Sequence, residues 1–289
     1  VVVYGVILVA VLLIPLIFSV IIVKSADIQF MFTALLGVFI TICTYAAIGL
    51  FMSTITKYQV VAAIGTLAIL AILNFIGNVG QDIDFVRDLT YWLSISGRSK
   101  IFLEGMICSR DIIYFLLVIF MFLAFAFIKL QGERLKSSTL KTVGSYLIVF
   151  VFVLVGGYIS SRPVMIVYYD ATATKLNTLT KNSQEIVKKI DGGLTLTTYV
   201  NLLDDTWYHA SPSSKNYDMD RFERYVRFKP DMKIEYVYYY GPGTSSHYDK
   251  VYKGLGPKER MLKVCEGYDY NPDMFISAEE VQKVEDISA

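Results

Sequence analysis

The residue types that would permit chemistry are few: His209 and His247, the adjacent carboxylates Asp204-Asp205 and Glu279-Glu280, and a glycine-bearing turn, GPGTSS, at 241–246. Two histidines would suit a metal, but neither HExxH nor H-x3-H spacing occurs, so both read as surface residues. Paired carboxylates would suit general acid and base work, yet on a polar stretch such neighbours are ordinarily solvated charge. GPGTSS follows a predicted strand as a phosphate-binding loop would, but it has two glycines, no lysine in the cradling position and no helix signal behind it, which makes it a turn. No G-x-x-x-x-G-K-[ST] run is present, so the chain is not its own ATPase by that route. Cys43, Cys108 and Cys265 are scattered without CxxC spacing and suggest neither a disulfide framework nor zinc, and Cys43 reads as a space-filler inside a helix. No catalytic residue, metal ligand or cofactor site is assigned.

The remaining polar candidates stand inside apolar runs. Thr41, Thr44, Tyr45 and Asn74 must find hydrogen-bond partners or a wet path, and helix-to-helix bonding is the role expected of them ahead of lining a path. The elements that hold them are long and greasy. About twenty apolar residues cross a hydrocarbon layer roughly 30 Å thick at about 1.5 Å rise per residue. Val1–Val23, Ile28–Met52, Val60–Ile76, Ile112–Ile128 and Val143–Ile159 meet that need, giving five expected spans, the first ending at Lys24 and kinked by Pro15. No Asp, Glu or Arg is expected within them, which disfavours an ion-coupled carrier. Gly37, Ala46, Ala47 and Gly49, with Ala62, Ala63 and Gly65, would let two helix backbones approach closely.

Charge divides the chain. Residues 1–160 hold 10 Lys/Arg and 7 Asp/Glu, residues 161–289 hold 17 and 19, so the net charge of +1 sums a lipid-facing part and a water-facing part. The expected domains are a partial transmembrane domain over 1–160 and a partial α/β domain over 161–289. No basic stripe, zinc-finger spacing or helix-turn-helix signal supports nucleic-acid binding. Val1 stands inside an apolar run and Ala289 inside a polar one, so the sequence reads as a piece of a longer chain rather than as one with a cleaved signal.

Orientation follows from basic residues in short links. Lys129, Arg134, Lys136 and Lys141 are dense between the last two spans and favour the cytoplasm; Arg87, Arg98, Lys100 and Arg110 are spread over about 35 residues. The turn at Ser53, Thr54, Thr56, Lys57 and Gln59 is then cytoplasmic, its hydroxyls capping helix ends, with Ser53, Thr54 and Thr56 the expected caps. Everything after Ser161 lies outside. Between the third and fourth spans, Tyr91, Trp92, Leu93, Ile95, Ile101, Phe102 and Met106 would suit short amphipathic helices at the membrane surface.

Beyond Pro163 the period changes. Asn182 with Glu185 resembles a helix start and Ile186, Val187 and Ile190 its buried stripe; LTLTTYVNLL alternates as a strand; Met219, Phe222 and Val226 mark a helical face; KIEYVYYY reads as a second strand. Strand, helix and strand at these separations make a right-handed parallel βαβ unit, and Ser277 with Glu280 offers a capping box for a further helix.

These segments carry a family likeness. AAIGLFMSTITKYQVVAAIGTLAIL resembles the turn between adjacent spans in type-2 ABC exporter permeases of the gliding-motility (Gld-like) and multidrug or copper-export kind. YWLSISGRSKIFLEGMICSRDIIYFLLVIFMFLAFAFIKL is similar to that family's outer interfacial helices and final span. YYDATATKLNTLTKNSQEIVKKIDGGLTLTTYVN is similar to the opening of the gliding-motility-type ABC transporter auxiliary domain, while KERMLKVCEGYDYNPDMF matches it only loosely. The resemblance implies a permease subunit in a bacterial inner (cytoplasmic) membrane, working as a homo- or heterodimer with a separate ABC ATPase subunit, and an extracytoplasmic auxiliary domain fused behind it. The alternative is a membrane-anchored extracytoplasmic binding or sensor module; five spans exceed what an anchor needs.

Overall fold

The computed structural model describes residues 2–22, 27–135, 138–162, 165–190, 192–243 and 246–288. Val1, Val23, Lys24, Lys136, Pro163, Thr244, Ser245 and Ala289 lie outside the described residues. The chain is mostly helical, with a few small sheets. It divides into two compact units, one made of Val1–Ile76 and Leu93–Leu179, the other of Gly77–Trp92 and Thr180–Ala289. This boundary falls after Leu179, whereas composition changes at Ser160/Ser161, and the segment 77–92 folds with the polar part of the chain.

The first unit is a helical bundle. α1 (Val2–Ile22) contains Pro15, α2 spans Ile28–Ile55, α3 Gln59–Phe75, α5 Ile95–Leu103, α6 Ser109–Leu135 and α7 Thr139–Ser160. Among the described residues four helical stretches, Ile28–Ile55, Gln59–Asn78, Ser109–Leu135 and Thr139–Ser160, are long and apolar enough to cross a membrane; of the five expected spans the first, Val1–Val23, is not among them. α6 runs beyond the apolar stretch and carries Lys129 and Arg134 at its C-terminal end, where the helix dipole favours cations. Asp27 caps α2, accepting from Phe30 N–H at 3.1 Å. The interior is aromatic: Phe102 and Phe115 are fully buried, with ring centroids 6.1 Å apart.

At one end of this bundle the starts of α2 and α6 meet a two-stranded antiparallel sheet, β1 (Met106–Cys108) with β2 (Tyr168–Asp170), register Met106↔Asp170 to Cys108↔Tyr168. The loop after β2 ties itself down through Asp170, whose carboxylate accepts from Thr172 N–H (2.9 Å), Thr172 Oγ1 (2.6 Å), Asn177 N–H (3.0 Å) and Thr178 Oγ1 (3.3 Å). Ala173 N–H donates to Asp27 Oδ2 and Tyr169 OH to Gln29 Oε1, fastening the loop to the start of α2.

The second unit is α/β. β3 (Thr195–Asn201) pairs in parallel with β4 (Lys233–Tyr240), register Thr195↔Lys233 to Asn201↔Tyr239, and β4 pairs in parallel with the short β5 (Ile276–Ser277). Its helices are α4 (Asp84–Leu93, of which Leu93 belongs to the first unit), α8 (Lys181–Lys188), α9 (Lys215–Val226), α10 (Ser246–Val251), α11 (Pro257–Tyr268) and α12 (Ala278–Ser288). The core joins Val200, Leu202 and Tyr238 of the sheet to Trp207, Tyr248, Met261, Val264 and Phe275. The expected βαβ order is present as β3, α9, β4. The Ser277–Glu280 box forms, with Ser277 N–H donating to Glu280 Oε2 (2.7 Å) and Glu280 N–H to Ser277 Oγ (3.3 Å). The start of α8 differs from expectation: Thr180, not Asn182, is the cap, accepting from Ser183 N–H at 3.3 Å, because a hydroxyl three residues ahead of a free N–H is what the first turn requires. Ile186, expected in the buried stripe of this helix, is exposed. A helix does follow GPGTSS, namely α10, although none was legible there.

Candidate functional site

α5 presents Ile95, Ile101 and Phe102 to the bundle interior, and Arg98, three residues after Ile95 and three before Ile101, lies on the same buried face. The arginine is only 4% exposed. A buried guanidinium demands a counter-charge, and the first turn of α6 supplies it. Arg98 Nη1 donates to Asp111 Oδ1 at 2.6 Å; Asp111 is 0% exposed and stands at a helix N-terminus, the end that favours negative charge. One turn on, the ring of Tyr114 lies under the guanidinium at 4.4 Å, and its hydroxyl donates to the Leu93 carbonyl at 2.7 Å. Arg110 Nε stands 3.5 Å from the same Oδ1. Asp111 Oδ2 has no hydrogen-bond partner among the described residues. The arrangement locks α5 to α6 by charge and leaves one buried acceptor spare. It holds no nucleophile.

Sequence reasoning missed this pair. It counted Arg98 among the basic residues of the outer link between the third and fourth spans and placed Phe102 at the membrane surface. Phe102 is instead inside the bundle, because α2 has no side chain at Gly37: a Cβ there would overlap Phe102 Cβ. Tyr91, also expected at the surface, donates from its hydroxyl to Asp220 Oδ1 at 3.1 Å within the second unit, and Trp92, half-buried, belongs to that unit too. The signal that would have found the pair was an arginine in phase with apolar neighbours at 95, 101 and 102, ahead of an aspartate opening an apolar helix.

The other expected residues fall as follows. Thr41 Oγ1 donates to the Gly37 carbonyl at 2.8 Å and Thr44 Oγ1 to Ile40 at 3.0 Å, each within α2. Asn74 Nδ2 donates to Tyr45 OH at 3.3 Å, joining α3 to α2, and to the Leu70 carbonyl at 2.7 Å. In the 53–59 turn, Thr54 Oγ1 donates to Phe51 and Thr56 Oγ1 accepts from Tyr58 N–H at 3.2 Å; Ser53, Lys57 and Gln59 are exposed, and Ser53 makes no capping bond among the described residues. Lys129 pairs with Glu133 at 3.1 Å, whereas Arg134 and Lys141 are exposed. Of the small residues, Gly49 faces Thr66 and Gly65 faces Met52, Ala47 and Ala62 are buried, and Ala46 and Ala63 are exposed.

In the second unit, Asp218 of α9 is 3% exposed and accepts from Tyr236 OH and Arg221 Nη1, both at 3.0 Å. Lys215, 7% exposed, places its ammonium 5.6 and 5.7 Å from the ring centres of Tyr236 and Tyr238 and 3.4 Å from Asp84 Oδ1. Burial, with the Asp218 charge second, pushes the Tyr236 phenol up; burial does the same to Tyr238, and raises Tyr248 to about 12. Phenols held neutral in this way are no bases at physiological pH. The Cys265 and Cys108 thiols are pushed up to about 11, chiefly by burial, and are poor nucleophiles. His209 packs against the rings of Tyr208 and Tyr217, and His247 against Tyr248. Among the described residues no three of His, Cys, Asp and Glu gather as a metal site. A cavity of about 140 Å³ opens among residues 78–82, 212–213 and 269–274 of this unit.

The chain matches no protein-family model, no curated protein and no solved structure. What the fold defines is a class: a mostly helical chain with, among the described residues, four helices able to cross a membrane, joined to an α/β unit.

Proposed function

We propose that this chain is the membrane permease subunit of an ATP-binding-cassette exporter, working as a dimer with a separate ATPase subunit, its α/β unit extracytoplasmic. One observation carries the reading. The bundle contains a short helix, α5, packed against α2 and α3 and held to α6 by a buried ion pair; a membrane tether has no use for such an element, whereas a path that opens and closes needs a charged, two-state joint at one end. The likeness of the 46–70 and 91–130 segments to type-2 exporter permeases supports the same reading. The sequence carries no phosphate-binding loop, so in this reading ATP is hydrolysed on another polypeptide. The cytoplasmic face is then the end bearing Lys57, Arg134 and Lys141.

The test is co-purification of the full-length protein from bacterial membranes with a candidate ATPase, followed by hydrolysis assays in reconstituted bilayers. Association and faster hydrolysis are expected; no association and unchanged hydrolysis would overturn the proposal in favour of a sensor or binding module.

A further inference from the structure

The cavity in the second unit has a polar wall with spare hydrogen-bonding capacity. Gln81 is 4% exposed, and its Oε1 accepts from the Asn216 backbone N–H at 2.9 Å. A backbone amide only donates, so the oxygen is fixed there and the Gln81 NH₂ group is left over, with no acceptor among the described residues. Gln81 lines the cavity, as does Asn271, whose Oδ1 accepts from Asp273 N–H at 3.0 Å and whose NH₂ is likewise spare. Ser211 Oγ, Ser213 Oγ and Tyr270 OH form a chain of hydroxyls, 3.2 and 2.6 Å apart, whose two bonds use two of three hydrogens and leave one to give. Asp82 and Asp269, exposed at the rim, have no ion-pair partner among the described residues. Among the described residues no Lys, Arg or His lines the cavity.

The geometry points to a binding site for a small organic ammonium compound that also carries a hydroxyl or carbonyl oxygen. Two carboxylates without a cation repel anions and attract a positive charge, and the Tyr270 ring adds to that attraction. The spare amide hydrogens of Gln81 and Asn271 can donate to an acceptor on the ligand, which a simple alkylammonium lacks. About 140 Å³ is the space of four or five waters at roughly 30 Å³ each, so the ligand has only a few non-hydrogen atoms.

Trp207 reports on the site, because its indole is 6.1 Å from the Tyr270 ring and the chain has only one other tryptophan, Trp92. The experiment is a fluorescence titration of the full chain in lipid nanodiscs, in a Trp92→Phe background at constant ionic strength, with ethanolamine as probe. A saturable change is expected, with ethylene glycol, neutral and of the same size, at least about tenfold weaker. Asp82→Asn with Asp269→Asn raises the ethanolamine midpoint at least about tenfold. Both substitutions are gentle: the side chains are exposed, and asparagine tolerates the left-handed backbone (φ 57°) at 269. Absence of a saturable ethanolamine response, an unchanged midpoint in the double variant, or a calcium response that the variant removes while ethanolamine gives none would each overturn the assignment. The titration involves neither ATP nor transport, so its failure and that of the permease reading are separate events.

Discussion

Asp111 in the helical bundle and Asp218 in the α/β unit are both almost wholly withdrawn from solvent, at 0% and 3% exposure, and are provided for in different ways. Asp111 depends on charge. One of its oxygens takes Arg98, itself 4% exposed, and the other takes nothing among the described residues. Asp218 shares its needs between a neutral phenol, Tyr236, and an arginine whose side chain is 64% exposed. A third carboxylate, Asp170, burdened by burial, is held below the usual carboxylate range by bonds from Thr172, Asn177 and Thr178 alone. The difference teaches where a single substitution is dangerous: where the partner of the buried charge is itself buried and water cannot replace it.

The largest effect is therefore expected from Arg98→Met, which leaves the buried carboxylate with only the longer 3.5 Å approach of Arg110 and should cost about 3–5 kcal/mol. Unfolding of the protein in mixed micelles would measure it. Adding Asp111→Leu should recover much of the loss, since a well-packed apolar pair replaces a buried ion pair at little cost. If the double variant is no better than the single, the pair is not the joint that the bundle relies on.

Tyr236→Phe comes next. It strips Asp218 Oδ2 of its donor while leaving Arg221 in place, a loss of about 1.5–3 kcal/mol for a hydrogen bond to a buried charge. Of similar or smaller size is the contrast between two glycines of the bundle. Gly37→Ala drives a methyl into Phe102 Cβ and displaces the helix that carries Arg98, costing about 1–3 kcal/mol. Gly65→Ala meets only the flexible end of Met52 and should stay within about 0.5 kcal/mol.

The one-dimensional pattern carried the long elements well and the joints badly. Apolar runs of about twenty residues announce themselves, and so do the alternating strand at 195–201 and the box at Ser277 and Glu280. Three-residue strands such as β1 and β2 are too short to show alternation, and their partners lie some sixty residues apart. The amphipathicity of 95–103 was visible, but a helix facing lipid headgroups and a helix facing a protein interior have the same stripe; only Arg98 in the stripe distinguishes them, and its meaning depends on Asp111, thirteen residues on. The cavity wall combines residues near 80, 212 and 270, a juxtaposition that no local pattern encodes.

The pH dependence sharpens the comparison, because the second unit buries phenols as well as the Asp218 charge. The Tyr248 phenol, raised by burial to about 12, keeps its proton in the folded state while an unfolded tyrosine loses it near 10. Between those values the folded state holds more protons than the unfolded, so stability is full below about pH 10 and falls as pH rises toward 12, by up to about 1.4 kcal/mol per unit for one group. Chemical unfolding followed by Trp207 emission between about pH 9 and 11.5 should show that decline, and Tyr248→Phe should make it shallower. A slope untouched by the substitution would assign the alkaline loss elsewhere.

Among the charge substitutions the smallest effect is expected of Arg221→Ala, and it bears most directly on the difference between the two aspartates. Arg221 gives Asp218 a 3.0 Å bond, nominally as good as the one Arg98 gives Asp111. Its side chain, however, stands mostly in water, which screens the pair and can take over the carboxylate oxygen once the arginine is gone. The expected cost is at most about 1 kcal/mol, against the several expected at Arg98. Measured side by side under one denaturant, the two arginines separate burial from bond length as the source of the energy. A loss at Arg221 equal to that at Arg98 would mean that Asp218 is as dependent on its cation as Asp111, and that the phenol of Tyr236 does not share the load.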